Sequence, residues 1–189
     1  MTARVPGDLA GTVRWAVVPY APRPPFRIYG GPQRAPYIVD DVERLINASR
    51  KGGDADLTYL VPSKARPVLI LNNPPRTEHQ EVTALRLLRL SKIADASQQE
   101  RIRQQLDPLL FHLDPARFGL PEENAAIVSA LVTIHVDAIS AGEMLGSLNT
   151  HEMRALGERI INFYGFDTRL LVERTIRALA ARRRVREGP

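Results

Sequence analysis

The chain has 189 residues and a mass of 21.1 kDa, long enough for one domain with an appendage, or for two small domains, with a real hydrophobic core. A composition of 44% hydrophobic and 25% charged residues excludes full disorder and fibrous architectures, and the absence of cysteine excludes disulfide scaffolds, thiolate metal sites and cysteine nucleophiles. Basic residues outnumber acidic ones 26 to 21, a net charge of +5, and all of them except Lys51, Lys64 and Lys92 are arginine, whose planar fork grips phosphate bidentately.

In chain order, a first strand is predicted at Thr12 to Val18, where Val13, Trp15 and Val17 alternate with Thr12, Arg14 and Ala16 after Gly11. From Pro19 to Pro62 the prolines and glycines are those of loops, and apolar positions 42, 45 and 46 predict one short helix between Val39 and Ser49. This stretch, about 20–62, reads as a long insertion. Pro67 to Leu71 is a buried-strand run, and Val82 to Ser91 reads as its longer neighbour after a turn through Asn72, Asn73, Pro74 and Pro75. Asp95 to Leu106 is polar and rich in helix formers, so an exposed helix is expected there, ended by Asp107-Pro108. Ala125 to Ile139, rich in Val and Ile, predicts one or two further strands. A helix with Asn149 or Thr150 as N-cap, Glu152 in its first turn and Gly165 as its stop follows. A second helix from Asp167 or Thr168 runs into Arg182, Arg183, Arg184 and Arg186.

Strands joined by connections too short or irregular for βαβ units point to a mostly antiparallel small barrel with attached helices, an α+β or mainly-β class. The expected organisation is a barrel domain over 1–166, with an extra helix at about 95–107, and a basic helical extension over 167–189. The longest apolar run, Ala125 to Val136, is short of the roughly 20 residues a membrane helix needs, and Asp8 and Arg14 break up the N-terminal stretch. No membrane span and no secretory signal are therefore expected, and a soluble cytoplasmic location is. His79, His112, His135 and His151 have no ligand spacing, so neither a metal nor another cofactor is expected; His112 reads as a structural histidine. Trp15 is open to two readings, core residue or base-stacking platform. The Arg182–Arg186 cluster is equally open between backbone tracking and a frayed tail.

Three blocks, in order, resemble the MazF/PemK family of toxin endoribonucleases: GTVRWAVVPY (Gly11 to Tyr20), ARPVLILNN (Ala65 to Asn73), and the long block from Phe118 to Ile160 that begins FGLPEENAAIV and ends in a helix opened by Thr-x-Glu. The resemblance implies an SH3-like barrel with a C-terminal helix, a homodimer, and metal-independent cleavage of single-stranded RNA. It also implies a cognate antitoxin whose flexible tail lies in the active-site groove. Carried over residue by residue, it makes Arg66, immediately before the proline of the second strand, and Ser91, at the end of the next strand, the catalytic pair. Strand alternation would then put Arg89 on the side of Ser91 and Arg86 on the other. RNA-binding candidates are Lys64, Arg89, Lys92 and Trp15. Where the family carries a short Gly- and Gln-bearing loop before Arg-Pro, this chain has VPSK after the insertion. Two other functions fit the same fold: a CcdB-like poison of DNA gyrase that needs no Arg66 and Ser91 pair, and a nucleic-acid-binding module without catalysis.

Overall fold

The computed structural model describes residues 8–21, 26–29, 36–39, 58–59, 61–75, 80–142 and 144–165. The chain divides into two compact units, one made of the chain up to Arg14 together with the chain from Pro67, the other of Trp15–Arg66. The expected helix between Val39 and Ser49 and the extension over 167–189 lie outside the described residues, apart from Val39, which ends a strand.

Nine strands are described: β1 (Thr12–Pro19), β2 (Phe26–Tyr29), β3 (Pro36–Val39), β4 (Thr58–Tyr59), β5 (Ser63–Ile70), β6 (Glu81–Arg89), β7 (Leu110–Leu113), β8 (Asn124–His135) and β9 (Gly146–Ser147). Three α-helices accompany them: α1 (Ala96–Arg103), α2 (Pro115–Phe118) and α3 (Thr150–Tyr164). Six strands form one sheet in the order β7-β8-β6-β5-β1-β9, with antiparallel pairing between β5 and β6, β6 and β8, β7 and β8, and β1 and β9. The architecture is that of a small antiparallel α+β barrel class, as the strand pattern predicted. The insertion differs from expectation: besides loops it carries β2, β3 and β4, which make a separate three-stranded sheet in the order β3-β2-β4.

Alternation along β8 explains how both faces of the main sheet are covered in the first unit. Ala125 and Ala126 are consecutive, fully buried, and face opposite ways. Ala126 belongs to the core of Val13, Leu69, Leu85, Phe111, Leu113, Phe118 and Leu156, against which Met153, Ala155 and Ile160 of α3 pack. Ala125 belongs to the core of Leu90, Leu110 and Ile102, the last supplied by α1. Alanine's small side chain lets a helix approach both faces at this level. The register of β6 on β8 shifts between Leu85 and Leu87, a bulge that bends the pair just before the candidate site.

The helix ends follow local chemistry. In α3, the Asn149 side chain accepts from the Glu152 N–H at 2.9 Å while the Glu152 carboxylate accepts from the Asn149 N–H at 2.8 Å, a reciprocal capping box. Gly165 closes it at φ 67°, where a Cβ is disfavoured. Helix α1 begins on Asp95, whose side chain accepts from the Ser97 N–H, and hydrogen bonding from the Ser97 side chain first, then from the Ser97 and Gln98 N–H groups, holds that carboxyl below the ordinary carboxylate range. It ends at Arg103, short of the expected Leu106, because Gln105 takes a left-handed conformation and the buried Asp107 carboxylate accepts from the Leu109 and Leu110 N–H groups to start β7. Arg159 of α3 donates to the carbonyls of Gln105, Asp107 and Leu110 and lies 5.1 Å over the Phe111 ring, tying α3 to this turn. Its burial pulls the guanidinium below its ordinary pKa.

Candidate functional site

The end of β6 decides where Ser91 sits. The sequence pattern carried the strand through Ser91, but the extended backbone stops at Arg89, the residue opposite Asn124 at the start of β8. Leu90 turns inward, 1% exposed, and its N–H donates to the Glu123 carbonyl at 2.9 Å. A single 3₁₀ turn over Leu90–Lys92 results, with Ser91 and Lys92 exposed on it. Burying Leu90 is worth about 2 kcal/mol, which favours this turn over a strand continued through Ser91.

Opposite this turn lies the 121–123 segment that leads into β8. It is fastened by Asn124, whose side-chain amide donates to the Glu122 carbonyl at 2.7 Å. Its first glutamate, Glu122, accepts from the Ser91 hydroxyl at 2.9 Å through Oε2 and pairs with Arg89 Nε at 3.0 Å through Oε1. Arg89 and Ser91 thus converge on one carboxylate, through the 3₁₀ turn and not through the strand alternation expected for a β6 running to Ser91, and Arg86 is half-buried with its Nε buried and unpartnered among the described residues. The second glutamate, Glu123, turns to other partners. Arg103 donates to it from Nε and Nη2, at 3.0 and 2.7 Å, and His112 Nε2 lies 3.4 Å away. The Arg103 bonds hold the Glu123 carboxyl below its ordinary range and raise Arg103 in turn. His112 itself stands on β7 opposite Ala125, with its Nε2 buried and without a hydrogen-bond partner among the described residues.

The Trp15–Arg66 unit holds Arg66, Trp15 and Lys64. There the end of β1 is fastened by the Tyr20 N–H, which donates to the Pro62 carbonyl at 2.9 Å. Arg66, half-buried on β5, donates from Nη2 to the Tyr20 hydroxyl at 3.0 Å, and its guanidinium carbon lies 5.5 Å from the centre of the Tyr20 ring. Arg66 Nε is buried and unpartnered among the described residues. Trp15 is 43% exposed, which removes it from the core and leaves its ring facing solvent. Lys64 on β5 and Lys92 on the 3₁₀ turn are exposed and without an ion-pair partner among the described residues.

Sequence reasoning did not single out Tyr20, Glu122, Glu123 or Arg103 as site residues. Tyr20 closes the first matched block and both glutamates lie in the third, so their positions were in view, but only folding shows which arginine each one meets. Among the described residues no group of three or more His, Asp or Glu side chains is arranged to hold a metal ion, and no helix is long and apolar enough to cross a membrane.

No family model matches the chain, and no curated protein matches it either. Among solved structures, it is similar to an endoribonuclease in complex with its cognate antitoxin from a mycobacterial species. The identity is 19%, 55% of this chain and 84% of that chain are covered, and the TM-score is 0.37.

Proposed function

We propose that the protein is a toxin of the MazF/PemK type, an endoribonuclease that cleaves single-stranded RNA, acts as a homodimer and is neutralised by a cognate antitoxin. One observation carries the reading to this site. Arg89, the last residue of β6, and Ser91, in the 3₁₀ turn that follows, bring a guanidinium and a hydroxyl to one pair of anionic oxygens, at 3.0 and 2.9 Å. That is the donor set a phosphodiester needs.

The reaction uses the substrate's own 2′-hydroxyl. Its oxygen forms a bond to the adjacent phosphorus while the bond from phosphorus to the 5′-oxygen breaks. The 2′ proton passes to an acceptor and the leaving 5′-oxygen takes one up, so the products are a 2′,3′-cyclic phosphate and a 5′-hydroxyl. The protein's task is positioning and charge stabilisation of the pentavalent phosphorus. In this scheme Arg66 supplies positive charge and aimed donors, with the Tyr20 hydroxyl fixing its guanidinium. Ser91 donates to a phosphate oxygen and Arg89 neutralises the developing charge. Lys64 and Lys92 contact flanking phosphates, and Trp15 offers a ring on which a base stacks.

The test is cleavage of single-stranded RNA by the purified full chain in the presence of a chelator, compared with Arg66→Ala. Losing a preorganised donor at a developing oxyanion slows the step about 10²–10³-fold, so the variant should retain at most about a hundredth of the activity with an unchanged circular dichroism spectrum. Equal cleavage by both proteins would overturn the assignment of Arg66. Growth arrest that persists in Arg66→Ala without RNA cleavage would point to gyrase poisoning instead.

A further inference from the structure

The carboxylate of Glu122 occupies the place that the proposed function assigns to phosphate. One of its oxygens accepts from the Ser91 hydroxyl and the other lies 3.0 Å from Arg89 Nε, so the hydroxyl and the Nε edge of the guanidinium face Glu122, and a second anion meets its negative charge there while it stays in position. Its side chain is 33% exposed and that of Arg89 59%, so water and salt reach the pair. No other ion pair to its carboxylate is present among the described residues, and Arg103 is paired with Glu123 instead. The backbone carbonyl of Glu122 is fastened by the Asn124 side-chain amide.

We infer that Glu122 is an internal stand-in for the substrate phosphate: RNA binds by displacing it from Arg89 and Ser91, and its charge therefore sets the affinity of the site. This rests on the reading of Arg89 and Ser91 as phosphate contacts. Two consequences follow from the geometry. Removing the charge strengthens binding, and it does so through Arg89. In the free protein Arg89 is neutralised by Glu122 and carries little counterion of its own. Without the Glu122 charge, Arg89 gains a counterion, which phosphate then releases.

The experiment measures binding of a single-stranded RNA oligonucleotide with 2′-O-methyl groups at every ribose, which cannot be cleaved, to the full chain by fluorescence anisotropy. Glu122→Gln keeps an acceptor for Ser91 and should bind about fivefold tighter, the scale of one exposed ion pair. Its plot of log affinity against log salt should be steeper by about 0.7, one further phosphate contact on a single strand. Glu122→Ala should act in the same direction, Glu122→Asp should stay at the wild-type value, and in an Arg89→Ala background Glu122→Gln should have little effect. Unchanged or weaker binding by Glu122→Gln and Glu122→Ala overturns the inference, and so does an equal gain with and without Arg89. Cleavage of unmodified RNA separates this from the functional reading. Normal cleavage with no gain in binding sinks the inference alone, and a gain in binding by a protein that never cleaves sinks the catalytic reading alone. No binding by any of the proteins sinks both.

Discussion

Replacing Glu152 with glutamine removes one charge from the joint between α3 and the rest of its unit while leaving an acceptor for the helix cap. The carboxylate accepts from both terminal nitrogens of Arg117, one of them at 2.6 Å, and Arg117 also donates to the Ser147 carbonyl at 3.0 Å and lies 5.1 Å over the Phe118 ring. A hydrogen bond to a charged group contributes about 1.5–3 kcal/mol when shielded. With the side chains 41% and 24% exposed the pair is screened, and about 1 kcal/mol is the expected loss. The hydrogen bonds from Arg117 hold the Glu152 carboxyl below its ordinary value. A depressed folded-state pKa contributes stability that is present above the unfolded value, about 4.3, and is lost as pH falls through the lower folded value. Urea unfolding should therefore show wild type about 1 kcal/mol more stable than Glu152→Gln at neutral pH, with the gap closing only below about pH 4.3. Equal stability at neutral pH would refute the reasoning, and so would a gap that persists unchanged in acid.

Two glycines offer opposite outcomes. A Cβ on Gly146 would lie 2.7 Å from Phe118 Cδ1 and 2.9 Å from Phe118 Cα, where β9 crosses α2, so Gly146→Ala should destabilise by about 1–3 kcal/mol in chemical denaturation. Gly157 has nothing within 4 Å of its Cβ position and sits mid-helix, so Gly157→Ala should raise stability by about 0.5–1 kcal/mol by the same measurement. Leu156, 1% exposed and the buried anchor of α3, should cost about 2–5 kcal/mol as Leu156→Ala. Ser91→Ala should slow RNA cleavage while leaving the melting temperature within a few degrees of wild type, since Ser91 is exposed and its hydroxyl is bonded among the described residues to Glu122 alone.

What the sequence revealed depends on how local each cause is. The α3 helix was readable in full, from the Asn149 cap through Glu152 to Gly165, because each signal acts within one turn of backbone. The register of α1 was readable at its start, where Asp95 caps it, and not at its end, which Gln105 and the buried Asp107 carboxylate decide together. β7 escaped notice because four residues, Leu110 to Leu113, between Pro108 and Pro115 are too few to show a period. The run into Ser91 looks extended by propensity, and only the bond from Leu90 to Glu123, thirty-odd positions away, turns it. Trp15 shows the same limit: an aromatic on a strand resembles core until the faces are assigned, and here its face is open. Arg66 and Ser91 entered as candidates through resemblance, and Tyr20 and Glu122 became visible as their partners only in three dimensions.

The central claim is that the chain cuts RNA by attack of the substrate's own 2′-hydroxyl, and the ends of the product report on it directly. Mass spectrometry of fragments from a short single-stranded RNA incubated with the full chain should show 2′,3′-cyclic phosphate on one fragment and an unphosphorylated 5′-hydroxyl on the other. Fragments carrying 5′-phosphate, or an RNA left intact by wild type and Arg66→Ala alike, would contradict it.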